Sequence, residues 1–337
     1  MKTRTLFVML LVTMAFVSCK KKYDIIELPK IEYDVLINNH GSNYSWFDHM
    51  EGFQRIDFFN LILDNARSGK FTIEDVDGNK INASDIDYLL TLVLVEDTSE
   101  VTIILNAESL NGIRFRESWK VNSGTGEFEK EVIAFCPLYF HRHQFIDGSP
   151  VSEVYPLFWI YPSEEKGGDD QMIVAEKIAF DVFVDNTFPF IEECYGEKLP
   201  FYFCNIEPAL KLQIVNSIID AGIEKRTPVY DYFFNEMQDA EFEQIIERKD
   251  TISVFSEENP DIAKDSVVVF KLDRNQITRL KFVEQWTIDK QSLQFSKKVI
   301  AVSPSSVSYD EYGEFRGFRF LFWLLFDKEM KKDLVFE

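Results

Sequence analysis

The pair His141-Arg-His143 sets two imidazoles at alternate positions, which on a strand means one face and therefore two of the ligands that a metal site needs. A third ligand is not evident beside them. The corresponding stretch of a second, similar segment, Ser305–Tyr309, holds no histidine, so a solvated loop is the simpler reading. Glu192-Glu193, Asp169-Asp170 and Asp75-Val-Asp77-Gly78-Asn79 offer oxygen ligands for calcium. None has the alternating Asp-x-Asp-x-Asp-Gly spacing, and a polar turn accounts for the last more simply. Cys194 and Cys204 flank GEKLP, and two readings stay open for them: a disulfide closing that loop in an oxidising compartment, or two separate buried thiols. Cys136 is the odd one; Ser303 stands at the matching position of the second segment, so the fold does not need a thiol there. The sequence has no Gly-x-Ser-x-Gly elbow, phosphate loop, His-Glu-x-x-His or Cys-x-x-Cys. It therefore predicts neither an enzyme nor a metal or cofactor site.

Cys19 has a different chemistry, acylation. MKTR supplies a basic start, LFVMLLVTMAFV a short apolar run, and Phe16-Val17-Ser18-Cys19 a small-residue cleavage site. The run is too short for a spanning helix. A plain secretory signal shares the charged and apolar regions, but the cysteine after serine, followed by lysines, favours a lipoprotein signal over residues 1–19. Cys19 is then the first mature residue, residues 20–26 form a tether, and the acyl chains insert in membrane lipid. Surface-exported lipoproteins tend to carry acidic residues straight after the cysteine. Lys20-Lys21-Lys22 departs from that and favours the periplasmic side of the outer membrane. The chain's formal charge of −21 lacks the clustered cations that a polyanion needs, which argues against nucleic acid as a partner.

The elements that must carry these residues are written twice. FRESWKVNSGTGEFEKEVIAFCP (115–137) and FVEQWTIDKQSLQFSKKVIAVSP (282–304) align without a gap and share nine identities. KIEYDVLINN (30–39) likewise matches KIAFDVFVDN (177–186), and Leu157-Phe158-Trp159 matches Leu321-Phe322-Trp323. Helical spacing joins Phe53, Ile56, Phe59, Leu63 and Ala66 before Gly69, and Leu210, Ile214, Ile218 and Ala221 between Pro208 and Gly222. Shorter helices are predicted at Ser84–Leu90 and Asp239–Arg248. Residues 162–171 are polar and Gly-rich, as a linker is. The chain is thus predicted as an α+β protein of two tandem homologous domains, 27–161 and 172–337. Each is a helix pair packed on a small antiparallel sheet with its own core.

Alternating apolar residues make the repeated phrase a β-hairpin. A turn over Asn122–Thr125 places Phe115 opposite Val132 and Trp119 opposite Phe128; the second copy pairs Phe282 with Val299 and Trp286 with Phe295. The same register sets Glu117 against Lys130 and Glu284 against Lys297. Two readings fit these pairs: an interaction site or, more simply, cross-strand ion pairs at the margin of each sheet.

The second copy carries Glu284-Gln-Trp286…Asp289-Lys290-Gln291, Val299–Pro304, Gly313-Glu314-x-x-Gly317 and Leu321-Phe322-Trp323. In order and spacing these motifs resemble the signature of the gliding-motility protein N family (GldN, also called PorN). The resemblance is close over about 45 residues and looser over about 100 more. It implies a periplasmic structural component of the type IX secretion and gliding machinery of Bacteroidota, bound to a lipoprotein partner. The chain departs from the pattern in having two copies and an apparent anchor of its own, and in ending at Glu337 where family chains continue through a charged tail. The first copy has Asp147-Gly148 in place of Gly-Glu-x-x-Gly. The reading is a lipid-anchored periplasmic scaffold or interaction protein whose two units raise avidity. The alternative is a cell-surface lipoprotein that binds a glycan or protein, unrelated to secretion.

Overall fold

The period-two and helical patterns form strands and helices close to where the sequence puts them. The computed structural model describes residues 23–37, 52–96, 99–144, 150–163, 170–185, 206–255, 263–310 and 312–329. In chain order the first half folds as β1 (Ile25–Leu36), α1 (Gly52–Ser68), β2 (Thr72–Glu74), a 3-10 turn, α2 (Ile86–Leu89), β3 (Thr91–Glu96) and β4 (Ser99–Ile104). It continues through β5 (Gly112–Asn122), β6 (Phe128–Gln144), β7 (Pro150–Pro156) and β8 (Trp159–Tyr161). The second half repeats the order of strands and helices: β9 (Gln171–Phe183), α3 (Pro208–Ile223), β10 (Val229–Tyr230), α4 (Asp239–Ile246), β11 (Glu247–Phe255) and β12 (Ala263–Lys271). A 3-10 turn, β13 (Ile277–Asp289), β14 (Phe295–Tyr309), β15 (Phe315–Phe320) and β16 (Trp323–Leu325) complete it.

Local chemistry sets the helix ends. Gly69 leaves α1 at φ +70°, the left-handed position that glycine takes without strain. Pro208 opens α3, where its missing N–H costs nothing. The Glu241 carboxylate accepts from the Gln238 N–H at 3.0 Å and caps the start of α4.

The expected pair of α+β domains is corrected. The protein is mainly β, and its principal sheet has 12 antiparallel strands drawn from both halves. Its central path runs β1-β5-β6-β14-β13-β9, so each half contributes three strands and they join at β6 and β14. Both joining strands are long, 17 and 15 residues, and each pairs with more than its own hairpin partner. Across the join Lys130 lies opposite Lys297 and Ser296 opposite Glu131. Those two lysines hold the same position in the repeated phrase, so a local two-fold axis passes between them.

The path curls until its end strands approach each other, with Tyr33 of β1 stacked on Phe180 of β9 at 5.8 Å between ring centres. The inside of this rolled sheet is aromatic: Tyr33, Phe115, Trp119, Phe282 and Trp286 are fully buried. The helices cross over: α1 lies against β9, and α3 against β1 and β5. Phe58 of α1 meets Phe295 of the second half edge-on at 5.9 Å, and Thr227 after α3 donates to the Thr125 carbonyl at 2.8 Å. The main hydrophobic core therefore spans both halves, and each half adds a smaller buried cluster, around Phe234 and Trp323 in the second and around Cys136 and Trp159 in the first.

Candidate functional site

Glu117, Glu284, Lys130 and Lys297 project into the centre of the rolled sheet, with their side chains at 0% exposure. Period-two geometry puts them there: in β5 the inward residues are Ile113, Phe115, Glu117, Trp119 and Val121, and β13 repeats the pattern. Their pairing differs from the expectation in three respects. First, the hairpin register is two residues wider: Trp119 faces Lys130 and Glu117 faces Val132, and likewise Trp286 faces Lys297 and Glu284 faces Val299. Second, the ion pairs are exchanged between halves, with Lys297 Nζ 2.6 Å from Glu117 Oε1 and Lys130 Nζ 2.7 Å from Glu284 Oε1. Third, the group is central and buried, not marginal. The expected ring pairs still touch, diagonally: Trp119–Phe128 at 5.8 Å and Trp286–Phe295 at 5.7 Å.

Each carboxylate also accepts from the indole two residues on, Trp119 Nε1 to Glu117 Oε2 and Trp286 Nε1 to Glu284 Oε2, both at 2.7 Å. The ammonium groups sit over rings: Lys297 is 3.0 Å from the centre of Phe115 and Lys130 is 3.3 Å from that of Phe282. Both lysines thus face an aromatic ring and a carboxylate in a low-dielectric interior, where cation–π and ionic attraction are strongest.

The symmetry is broken at one place. Tyr33 donates to Glu117 Oε2 at 2.9 Å and accepts from Lys297 Nζ at 3.2 Å, whereas the matching residue Phe180 has no hydroxyl. Burial alone would raise the Glu117 pKa, but the charges of Lys297 and Lys130 outweigh it and hold the carboxyl below its ordinary value. Burial lowers the pKa of Lys297 to about 8 despite the two glutamates near it. Sequence reasoning missed the roles of Tyr33 and Phe180. Their shared place in KIEYDV and KIAFDV was the available signal.

Two acids and two bases in a sealed, charge-balanced cluster have no substrate access. What they can do is select a mate. Each half buries one acid and one base, and the ion-pair contact of each is with the other half.

The signature residues shape turns and core. Asp289 Oδ1 accepts from the N–H groups of Gln291 and Ser292 at 3.0 and 2.7 Å, and the Ser292 bonds hold its carboxyl below the ordinary range. Asn122 does the same in the first half, and both turns place a left-handed residue at the same step, Gly126 at φ +70° and Leu293 at +56°. Lys290 pairs with Asp170 at 3.0 Å, and the Pro304 carbonyl accepts from the Leu321 N–H at 3.3 Å. Gly313, at φ +80°, permits the turn in which Asp310 Oδ1 accepts from the Glu314 N–H at 2.9 Å. Gly317, at φ +117°, lies where the β14–β15 register shifts. Phe322 packs edge-on to Phe242, and Trp323 stacks on Phe234, both at 5.0 Å.

Asp75 lies in a turn, its carboxylate accepting from the Asp77 and Asn79 N–H groups at 3.0 and 2.8 Å. Asp231 repeats this turn with Phe233 and Asn235 at 2.9 and 2.8 Å. The Nδ1 of His141 is 3.0 Å from the Tyr139 hydroxyl. Cys136 is a free, buried thiol, and burial pushes its pKa up to about 12. Among the described residues no three His, Cys, Asp or Glu side chains gather to hold a metal ion. Cys19, Cys194, Cys204, the Glu192-Glu193 pair, Asp169 and the His143 side chain lie outside the described residues.

Residues 196–335 match the family model for gliding motility associated protein GldN, a family of gliding-machinery components. No curated protein matches the chain. Over that stretch, which runs from before α3 to beyond β16, the chain is similar to this family.

Proposed function

We propose that this protein is a lipid-anchored scaffold or interaction component of the gliding and type IX secretion machinery, held at the periplasmic face of the outer membrane through acylated Cys19. The observation that carries the reading is the GldN match over residues 196–335, the half in which Trp286, Asp289, Gly313 and Trp323 build the β13–β16 turns and core. The N-terminal pattern ending in Cys19 supports the anchor, and Lys20–Lys22 support the periplasmic side. The charge cluster supports a structural role, because its groups are consumed in holding two halves together. We also read the two halves as copies of one ancestral unit, from their shared element order and turn geometry.

Co-purification from membranes of the producing organism tests this, comparing the wild type with Cys19→Ala. The wild type is expected in the membrane fraction with gliding or secretion components, and the variant in the soluble periplasm. Recovery of the wild type alone, or with unrelated surface lipoproteins, would overturn the shared role. Membrane retention of Cys19→Ala would overturn the anchor.

A further inference from the structure

The seam between the halves has the properties of an interface that a second molecule can supply. We propose that two copies of this chain exchange halves, the first half of each docking on the second half of the other to build two identical rolled sheets. This goes beyond the gliding assignment and does not rest on it.

Three observations carry it. The surfaces that meet are equivalent: Glu117 and Lys130 from one side, Glu284 and Lys297 from the other, each acid contacting the opposite half's base at 2.6 and 2.7 Å. The join relies on side chains and helix crossing more than on backbone, since β6 and β14 share only two paired positions while β5 and β6 share ten. Between β8 and β9 stand nine residues of polar, Gly-rich sequence, 162–170, so a single covalent connection joins the halves.

Tyr33 sets which halves pair. Its hydroxyl bonds both Glu117 and Lys297, and Phe180 has none to give. An unlike pair of halves holds one such hydroxyl, and two like halves would hold two or none. Exchange between chains keeps unlike halves together and so reproduces the same cluster. Exchange of identical elements is a low-cost route to a dimer, because no new interface has to be made.

Two full-length variants carrying different affinity tags test this. Glu117→Lys sets a cation against Lys297 and spoils the first half; Lys297→Glu sets an anion against Glu117 and spoils the second. Neither chain alone retains both contacts of the seam, although each keeps that of Lys130 with Glu284. Together they retain both, because the intact first half of one fits the intact second half of the other. Expressed singly, each variant is expected to lose most of its soluble yield. Co-expressed, they are expected to recover as a 1:1 complex, twice the chain mass by light scattering. A soluble monomer from either variant alone would overturn the proposal, since these pairs would then not choose the mate. Failure of the co-expressed pair to co-purify would overturn it as well. As a second reading, wild type refolded from denaturant at high concentration should yield a dimer fraction that persists on dilution, and a purely monomeric product at every concentration counts against exchange.

Discussion

At the scale of single residues, Lys297 is the most demanding. Its Nζ is buried, lies 2.6 Å from Glu117 and sits 3.0 Å from the centre of the Phe115 ring. Lys297→Met leaves Glu117 charged without its contacting cation, and removing one partner of a buried pair costs about 3–5 kcal/mol. Adding Glu117→Gln removes the stranded charge, so that double variant should regain most of the loss in urea unfolding. Combining Lys297→Met with Glu284→Gln should regain less, and equal recovery by both doubles would refute pairing across the seam. The lysine should also titrate unusually, with a midpoint near 8 against an ordinary 10.5. Between those values the folded state has released the proton and the unfolded chain still binds it, so this group's contribution to stability rises with pH across that window. Glu117 acts at the other end. Its folded pKa lies below its ordinary 4.5, so the stability it provides is present above that value and is lost as acid protonates the folded carboxylate. Carbon-13 labelling of the lysine ε-carbon would give the first midpoint directly, and a value near 10.5 would show that the cluster does not depress it.

At the scale of elements, the turn that closes each hairpin decides the register. Gly126 is left-handed, and a methyl added to it would come 3.0 Å from Leu324 Cδ1 and 3.2 Å from the Ile218 Cα of α3. Gly78 is also left-handed, at φ +86°, but has open space around it. Gly78→Ala should therefore cost about 1–2 kcal/mol for backbone strain. Gly126→Ala should cost roughly 2–4 kcal/mol, since overpacking adds to the strain. Thermal melts of the two variants compare them, and similar losses would mean α3 does not press on this turn. This turn also shows how much the sequence disclosed. Strands, helices and the hairpins were legible from periodicity, and the matching phrases marked equivalent elements. The register was not, because the loop closes between Asn122 and Glu127, one step later on both sides than a turn over Asn122–Thr125. Irregularities at Arg116/Glu117 and Val283/Glu284 then shift the ladder again. The mates of the buried charges were illegible for a related reason. Sequence spacing reports neighbours within a hairpin, whereas Glu117 and Lys297 are brought together by the pairing of β6 with β14.

At the scale of the whole molecule, the shared sheet and crossed helices predict one cooperative unit where the repeats suggested two. Two domains with separate cores would melt separately or be stabilised separately. Here α1 of the first half packs on β9, α3 of the second packs on β1 and β5, and one core includes Phe58, Trp119, Phe282 and Trp286 together. Calorimetry should give a single transition whose van't Hoff and calorimetric enthalpies agree. Phe58→Ala is the sharper probe. Truncating a buried phenylalanine costs about 3–5 kcal/mol, and this one touches Phe295 of the other half. The whole transition should move down together, with amide exchange in β13 and β14 accelerating as much as in β5 and β6. If exchange quickened in the first half alone, the halves would be independent and the seam a mere contact. A common shift would mean that neither half is folded without a mate, which is the condition under which a buried pair of opposite charges can choose that mate.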